Sequence, residues 1–157
     1  MQKITPCLWF DDNAEEAVKF YISIFKYGSI EKISYYGSEG FEFHKKPTGS
    51  VMTILFNLNG QKYLALNGGP GFQFNESISL MVNCDTQEEL DYFWKELSAG
   101  GEEGPCGWVK DKFGLSWQIV PSILAELLSD HQRSEKVMRV LLQMKKMDIA
   151  KLKAAAD

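Results

Sequence analysis

The sequence has 157 residues, is 45% hydrophobic and carries a formal net charge of -4. This length allows one domain with a substantial core. Its 17 Lys and Arg residues are scattered along the chain, which argues against nucleic acid or an anionic membrane as a partner. Three cysteines without metal or redox spacing, and the lack of a leader or a long apolar run, predict a cytoplasmic protein.

The first part of the chain is predicted to contain one strand, one helix and three further strands. Pro6 cannot donate to a sheet ladder, so we expect the first strand to lie at an edge or to begin irregularly. Asn59-Gly60 between two apolar runs predicts a hairpin. The predicted elements are strand 4–10, a helix capped by the acid-rich stretch 11–13 and ending near Phe25, strand 30–36, and hairpin strands 51–58 and 61–66.

Two glycine-rich stretches separate these elements. Residues 37–50 contain three glycines, a proline, His44 and two lysines, which predicts a long exposed loop. Such a loop either covers a binding site or simply tolerates insertion, and the sequence leaves both open. Residues 67–71, Asn-Gly-Gly-Pro-Gly, are predicted to link two structural units.

The next part repeats the same order of elements. Residues 77–84 alternate in polarity, so Ile78, Leu80 and Val82 are expected to pack on a helix. The opposite face is either exposed or lines a partly polar cavity. A capped helix at 86–99 and a hairpin at 107–120 follow.

One phrase occurs twice and indicates that the two parts are copies. Residues 12–21 read D-N-A-E-E-A-V-K-F-Y, and residues 85–94 read D-T-Q-E-E-L-D-Y-F-W. The aspartate, both glutamates, the phenylalanine and the last large aromatic recur at an offset of 73 residues. Duplicated units usually pack around a shared core, so tandem duplication is favoured over two unrelated amphipathic helices.

The last part of the chain contains only helical patterns. Helices are predicted at 122–129, 133–146 and 149–156, and Asp148 is expected to cap the last one. The second helix places four apolar residues on one face. We expect this face to cover a sheet edge or, preferably, a second subunit, which predicts a homodimer. The four residues are Val137, Val140, Leu141 and Met144.

Several short segments carry a resemblance to a known family. They are Leu8-Trp9-Phe10, Ala14-Glu15-Glu16-Ala17, Leu66-Asn67-Gly68-Gly69-Pro70, Cys106-Gly107-Trp108, Asp111-Lys112-Phe113-Gly114, Ser116-Trp117-Gln118-Ile119-Val120-Pro121 and Lys145-Lys146-Met147-Asp148-Ile149. The sequence resembles the PhnB-like family, which also bears the name 3-demethylubiquinone-9 3-methyltransferase. This family is part of the vicinal oxygen chelate superfamily, with glyoxalase I, extradiol dioxygenases and bleomycin-resistance proteins.

The resemblance implies an α+β fold in which tandem βαβββ units form a curved, open-barrel mixed sheet. We expect a vicinal oxygen chelate domain at 1–121, with units at about 3–70 and 77–121. A C-terminal helical extension is expected at 122–157. The sequence leaves open whether the two units pair within one chain or between chains.

The resemblance also implies where metal ligands would be. In the metalloenzymes of the superfamily, each unit supplies a histidine or glutamine early in its first strand and a glutamate in its last strand. The corresponding places fall on Pro6 or Thr5, Ser79, Ala65 or Asn67, and Gln118. None of these side chains carries a charge, so we expect no catalytic metal and no cofactor.

The family name suggests methyl transfer, but the residues do not. An S-adenosylmethionine site normally needs a glycine-rich turn between a strand and a helix, with an acid further on. Residues 68–71 precede no predicted helix, so they are interpreted as a linker and methyl transfer is discounted.

The remaining candidates line a cleft and predict an unidentified small molecule as partner. They are Gln118, Ser79, Trp108, Trp9, Phe56 and Asn67. Gln118 would either bind a ligand or be satisfied by Ser79 or by backbone, and the aromatics would either wall a pocket or be ordinary core.

Three functions follow, with no catalytic residue assigned and catalysis itself left open. The leading one is metal-free binding or sequestration of a small molecule. The alternatives are a metal-dependent lyase, isomerase or dioxygenase, and a dimeric interaction module whose cleft is vestigial.

Overall fold

The computed structural model of the protein describes residues 2–157 and contains two compact units. The first, unit 1, extends to Phe74, and the second, unit 2, begins at Asn75. Unit 1 contains β1 (Cys7–Phe10), α1 (Ala14–Ile24), β2 (Ser29–Tyr35), α2 (Phe41–His44), β3 (Val51–Leu58) and β4 (Gln61–Asn67). Unit 2 contains β5 (Leu80–Cys84), α3 (Gln87–Ser98), β6 (Glu102–Glu103), β7 (Trp108–Lys110), β8 (Ser116–Pro121), α4 (Leu124–Leu127), α5 (His131–Leu141) and α6 (Ile149–Ala156).

Both units build the same open, four-stranded mixed sheet. The strand order is β1-β4-β3-β2 in unit 1 and β5-β8-β7-β6 in unit 2. In each sheet the first strand pairs in parallel with the last, and the other pairs are antiparallel. The α+β fold of tandem βαβββ units with C-terminal helices is therefore confirmed.

Two strands begin later than predicted, and a third was not predicted. β1 begins only at Cys7, after Pro6, and Ile4 is 83% exposed. β5 begins only at Leu80, so the expectation that Ile78 packs on a helix is wrong: its side chain is 60% exposed. The two-residue strand β6 was not predicted, because two glutamates carry no strand pattern.

The loop at 37–50 contains one short helix. Phe41–His44 forms α2, and Phe43 on it is 84% exposed. The side chain of Lys46 returns to the end of β1, where its Nζ donates to the carbonyl oxygen of Asp11 at 2.9 Å. The loop is thus exposed, as predicted, but tied to its own unit.

The start of α1 is satisfied by a residue far away in sequence. The N-cap is Asn13, within the predicted stretch 11–13, but its side chain accepts no capping hydrogen bond. The Oδ1 of Asn67, at the end of β4, accepts from the Ala14 amide at 2.9 Å. Its Nδ2 donates to the Val51 carbonyl at 3.1 Å. One buried amide therefore joins α1, β3 and β4.

The start of α3 is capped locally. The Oγ1 of Thr86 accepts a hydrogen bond from the Glu89 amide at 3.2 Å, and the carboxylate of Glu89 accepts one from the Asp85 amide at 2.8 Å. This confirms the predicted cap. The helix then buries Leu90, Trp94 and Leu97 at helical spacing.

The turn between β7 and β8 is built around a buried carboxylate. Asp111 is 2% exposed, and its Oδ1 accepts from the amides of Phe113 and Leu115. Its Oδ2 accepts from the indole Nε1–H of Trp117 at 2.8 Å. These hydrogen bonds close the hairpin, which gives Asp111 a structural role.

The C-terminal helices pack against each other and onto α3. Val137 and Leu141 of the predicted apolar face are buried within unit 2, where α5 contacts α4 and α6, whereas Val140 and Met144 are half-buried. The side chain of Gln87 donates to the Met147 carbonyl at 3.1 Å and accepts from the Ile149 amide at 2.9 Å. Asp148 caps α6 as predicted.

Candidate functional site

The sheet of unit 2 has one face covered by α3 and one opposite face, called here the open face of unit 2. Val82 and Cys84 are buried on the α3 side, and alternation along a strand places Met81 on the other side. Met81 pairs with Gln118, which in turn lies directly opposite Trp108. These side chains therefore share the open face.

The side chain of Gln118 is half-buried, and one end of its amide makes a hydrogen bond within the protein. Its Nε2 donates to the Oγ of Ser79 at 2.9 Å. This is the hydrogen bond expected if Gln118 has a structural role. The Oε1 has no partner among residues 2–157, and no buried side-chain polar atom there lacks one. The Oε1 thus reaches solvent and is available as an acceptor.

A pocket of about 500 Å³ lies at the β6–β7 side of this face. Trp108, Lys110 and Ser116 line it from the sheet. Glu76 and Glu102 add carboxylates, and Glu76 forms an ion pair with the Nζ of Lys110 at 2.5 Å.

The ion pair across this pocket shifts both titrations. The hydrogen bond from Lys110 lowers the pKa of Glu76, and that same hydrogen bond raises the pKa of Lys110, so both groups stay charged at neutral pH. Nothing in the sequence pointed to this pair, because its members are separated by 34 residues and share no local pattern.

Three of the six predicted cleft residues lie in unit 1, and they are divided between two faces. Phe56 is fully buried on the α1 side, where its ring stacks near Tyr21 and Tyr63 at 6.4 and 5.5 Å. Asn67 lies on that side too, with its amide engaged as the cap of α1. Trp9 lies on the opposite face, next to Phe72 at 4.9 Å, and its Nε1 donates to the Gly69 carbonyl.

The buried faces show how the two units correspond. Leu8 and Phe10 face α1 as Val82 and Cys84 face α3, so the first strands match at an offset of 74 residues. The helices match at 73, because three residues join β1 to α1 and only two join β5 to α3. A one-residue difference exchanges the faces of a strand.

This correspondence defines the places of the metal ligands that the fold's metalloenzymes use. Thr5 rather than Pro6 is the counterpart of Ser79, and Leu64 rather than Ala65 or Asn67 is the counterpart of Gln118. Neither the hydroxyl and aliphatic side chain of unit 1 nor the hydroxyl and amide of unit 2 are side chains that bind a transition metal well.

Two further observations concern cofactors. Within residues 2–157 the structure contains no group of three or more His, Cys, Asp or Glu side chains placed to hold a metal ion. The glycines at 68–71 are followed by β5 and by no helix, so they do not form the strand–turn–helix that a dinucleotide or S-adenosylmethionine usually requires.

A second pocket, of about 920 Å³, lies between the start of α3 and the turn from α5 to α6. Its charged groups are largely paired with each other: Lys146 with Asp91 at 2.7 Å, and Lys151 with Asp148 at 3.5 Å. This pocket has no excess charge that would select a ligand.

No helix among residues 2–157 combines the length and apolar character needed to cross a membrane.

Comparison with known proteins agrees with this geometry. The family model of 3-demethylubiquinone-9 3-methyltransferase matches residues 2–120. The PhnB protein from Bacillus cereus is 35% identical over 76% of this chain and 99% of its own, with a TM-score of 0.66. Protein PA1353 from Pseudomonas aeruginosa is 21% identical over 76% and 96%, with a TM-score of 0.59.

A more distant likeness concerns the fold alone. The fosfomycin resistance protein FosX from Listeria monocytogenes, in complex with Mn(II) and 1S,2S-dihydroxypropylphosphonic acid, is 15% identical over 82% of this chain and 97% of its own, with a TM-score of 0.52. No curated protein matches the chain.

The tandem sheets and their neighbours define a protein of the glyoxalase/bleomycin-resistance fold. Within that fold, the chain belongs to the PhnB-like family, described as 3-demethylubiquinone-9 3-methyltransferase. The predicted resemblance is confirmed, and membership of this family establishes no specific reaction.

Proposed function

We propose that the protein binds a small molecule on the open face of unit 2 without the help of a metal ion. The observation that carries this proposal is the Gln118 amide, which is fixed by Ser79 at one end and free at the other. A preorganised acceptor beside an indole ring and a pocket of about 500 Å³ is the usual composition of a small-molecule site.

Ligand screening by thermal shift tests the proposal. A compound that binds only the folded protein raises its melting temperature by mass action. Hits that use the proposed site should lose their shift in Gln118→Ala and keep it in Gln132→Ala, a matched change on the exposed part of α5. Hits that are equally affected by both changes, or a broad library without hits, would contradict the proposal.

The metal-free character of the site is part of the proposal and has its own test. Its support is the uncharged set Thr5, Ser79, Leu64 and Gln118 at the places of the ligands. Protein purified without chelator should contain far less than one transition metal ion per chain by elemental analysis. A stoichiometric metal would favour a lyase, isomerase or dioxygenase instead.

We also propose that residues 122–157 are a helical extension added to a domain at 1–121, and that the protein is a cytoplasmic homodimer. The family match ends at residue 120, which supports the extension. Met138 and Leu142 lie four residues apart and stay 36% and 59% exposed, which supports a contact between subunits. Three free cysteines are compatible with a reducing compartment.

Light scattering tests the dimer. We expect the mass of two chains for the natural protein and of one chain for Leu142→Glu. The matched control is Gln143→Glu, which introduces the same charge at the next residue. A single-chain mass for the natural protein would disprove the dimer.

A further inference from the structure

Resting on the proposed function, we infer that the ligand of unit 2 is a small organic cation with N–H donors and an apolar body. The open face of unit 2 and its pocket offer acceptors, negative charge and an aromatic ring. These features select for the charge of a ligand as well as for its shape.

The open face of unit 2 offers a ligand one hydrogen-bond acceptor, on Gln118, and one aromatic ring, on Trp108. Gln118 spends its donor on Ser79 and keeps its Oε1 acceptor. The partner that satisfies this oxygen must itself donate an N–H or O–H. Trp108, directly opposite Gln118, makes no ring contact or side-chain hydrogen bond among residues 2–157. Its indole can therefore meet a ligand, and a cation above such a ring is attracted by it.

The charges around the pocket have one sign in excess. Three carboxylates, from Glu76, Glu102 and Glu103, line it together with a single ammonium group, from Lys110. That ammonium is already held by Glu76 at 2.5 Å. An anionic ligand would meet an excess of two negative charges and no free cation, whereas a cationic ligand would meet a complementary field.

The other two carboxylates, of Glu102 and Glu103, have different orientations. Glu103 pairs with Val109 and accepts through Oε1 from the indole Nε1–H of Trp94 on α3, so it is fixed on the helix side. Glu102 pairs with Lys110 and so lies on the open face. Glu102 is therefore the carboxylate that a cation would approach.

Three probes of similar shape test the inference: phenethylamine as cation, 2-phenylethanol as neutral compound and phenylacetate as anion. Amide chemical shifts locate each probe and give its affinity. Phenethylamine should bind about threefold to tenfold more tightly than 2-phenylethanol at low salt, and phenylacetate should bind most weakly. This advantage should shrink as salt is added, because an exposed charge pair is screened.

A pair of variants assigns the effect to the pocket. Glu102→Gln should remove most of the advantage of phenethylamine and leave the affinity of 2-phenylethanol unchanged. Glu88→Gln, an equal change at an exposed position of α3 outside the pocket, should leave both affinities unchanged.

The outcomes separate the two proposals. Equal affinity for the three probes, with shifts centred on Gln118 and Trp108, would disprove the cationic ligand and leave the binding site standing. A preference for phenylacetate would do the same. If none of the probes shifts the amides around Gln118, both the cationic ligand and the proposed function lose their support.

Discussion

Unit 1 and unit 2 share one strand order, yet their equivalent positions carry different chemistry. Where unit 2 has Gln118 on its open face, unit 1 has the aliphatic Leu64. The end of the first strand is Phe10 in unit 1 and Cys84 in unit 2, both buried. The helix start is capped from across the sheet in unit 1 and locally in unit 2. The repeated backbone is therefore maintained by different side chains in each copy.

The last hairpin of each unit offers the largest expected contrast. In unit 2 the buried Asp111 accepts from two amides and one indole, so Asp111→Ala should lower the free energy of unfolding by about 3 kcal/mol. In unit 1 the turn uses Asn57, whose Oδ1 accepts from the exposed Gly60 amide, so Asn57→Ala should cost less than about 1 kcal/mol. Urea denaturation measures both, and equal costs would refute the contrast.

The helix caps give the next largest contrast. Asn67→Ala leaves the buried amide of Ala14 without its acceptor and should cost about 1.5 kcal/mol. Thr86→Ala removes an exposed cap and should cost about 0.5–1 kcal/mol. The comparison uses the same denaturation experiment, and a larger cost at Thr86 would contradict it.

The smallest expected effect concerns the ends of the first strands. The free energy of unfolding should depend on pH through Cys84 in unit 2 but not through its counterpart Phe10 in unit 1. Burial, with smaller contributions from the negative charges of Glu89 and Asp85, raises the pKa of Cys84 to about 12. The unfolded thiol ionises near pH 9, so the folded state binds more protons above that pH and stability falls as pH rises. Between pH 8 and 10, ionisation of this thiol in the unfolded state should lower the free energy of unfolding by about 1 kcal/mol.

A variant that lacks the Cys84 thiol provides the control for this pH dependence. Cys84→Ala lacks the titrating group, so the stability difference between natural protein and variant should narrow by the same amount between pH 8 and 10. A constant difference would show that the thiol does not ionise on unfolding. The corresponding change at unit 1, Phe10→Leu, should show no such narrowing.

Much of the fold could be predicted because local signals and the repeated phrase agreed. Asn59-Gly60 indicated the hairpin that the structure contains, and Thr86 with Glu89 indicated the cap of α3. The shared offset of 73 located both helices. It did not locate the strand faces, since the link before α1 is one residue longer and moves the match of the strands to 74.

The candidate site was less predictable, because its residues are far apart in the sequence and meet only in the folded unit. Ser79 and Gln118 were expected as neighbours and do bond to each other. Asn67 was expected in the cleft, yet its burial as a helix cap depends on an amide 53 residues away. The Glu76–Lys110 ion pair left no local pattern at all.

The dependence of α1 on Asn67 has a consequence for how the chain acquires its structure during synthesis. Helix α1 leaves the ribosome long before Asn67 does, so until then the Ala14 amide has only water as its partner. Completion of α1 is thereby coupled to the arrival of β4, and the unit matures as a whole. In pulse-labelled hydrogen exchange during refolding, protection of Ala14 should appear together with that of β4 and not before it.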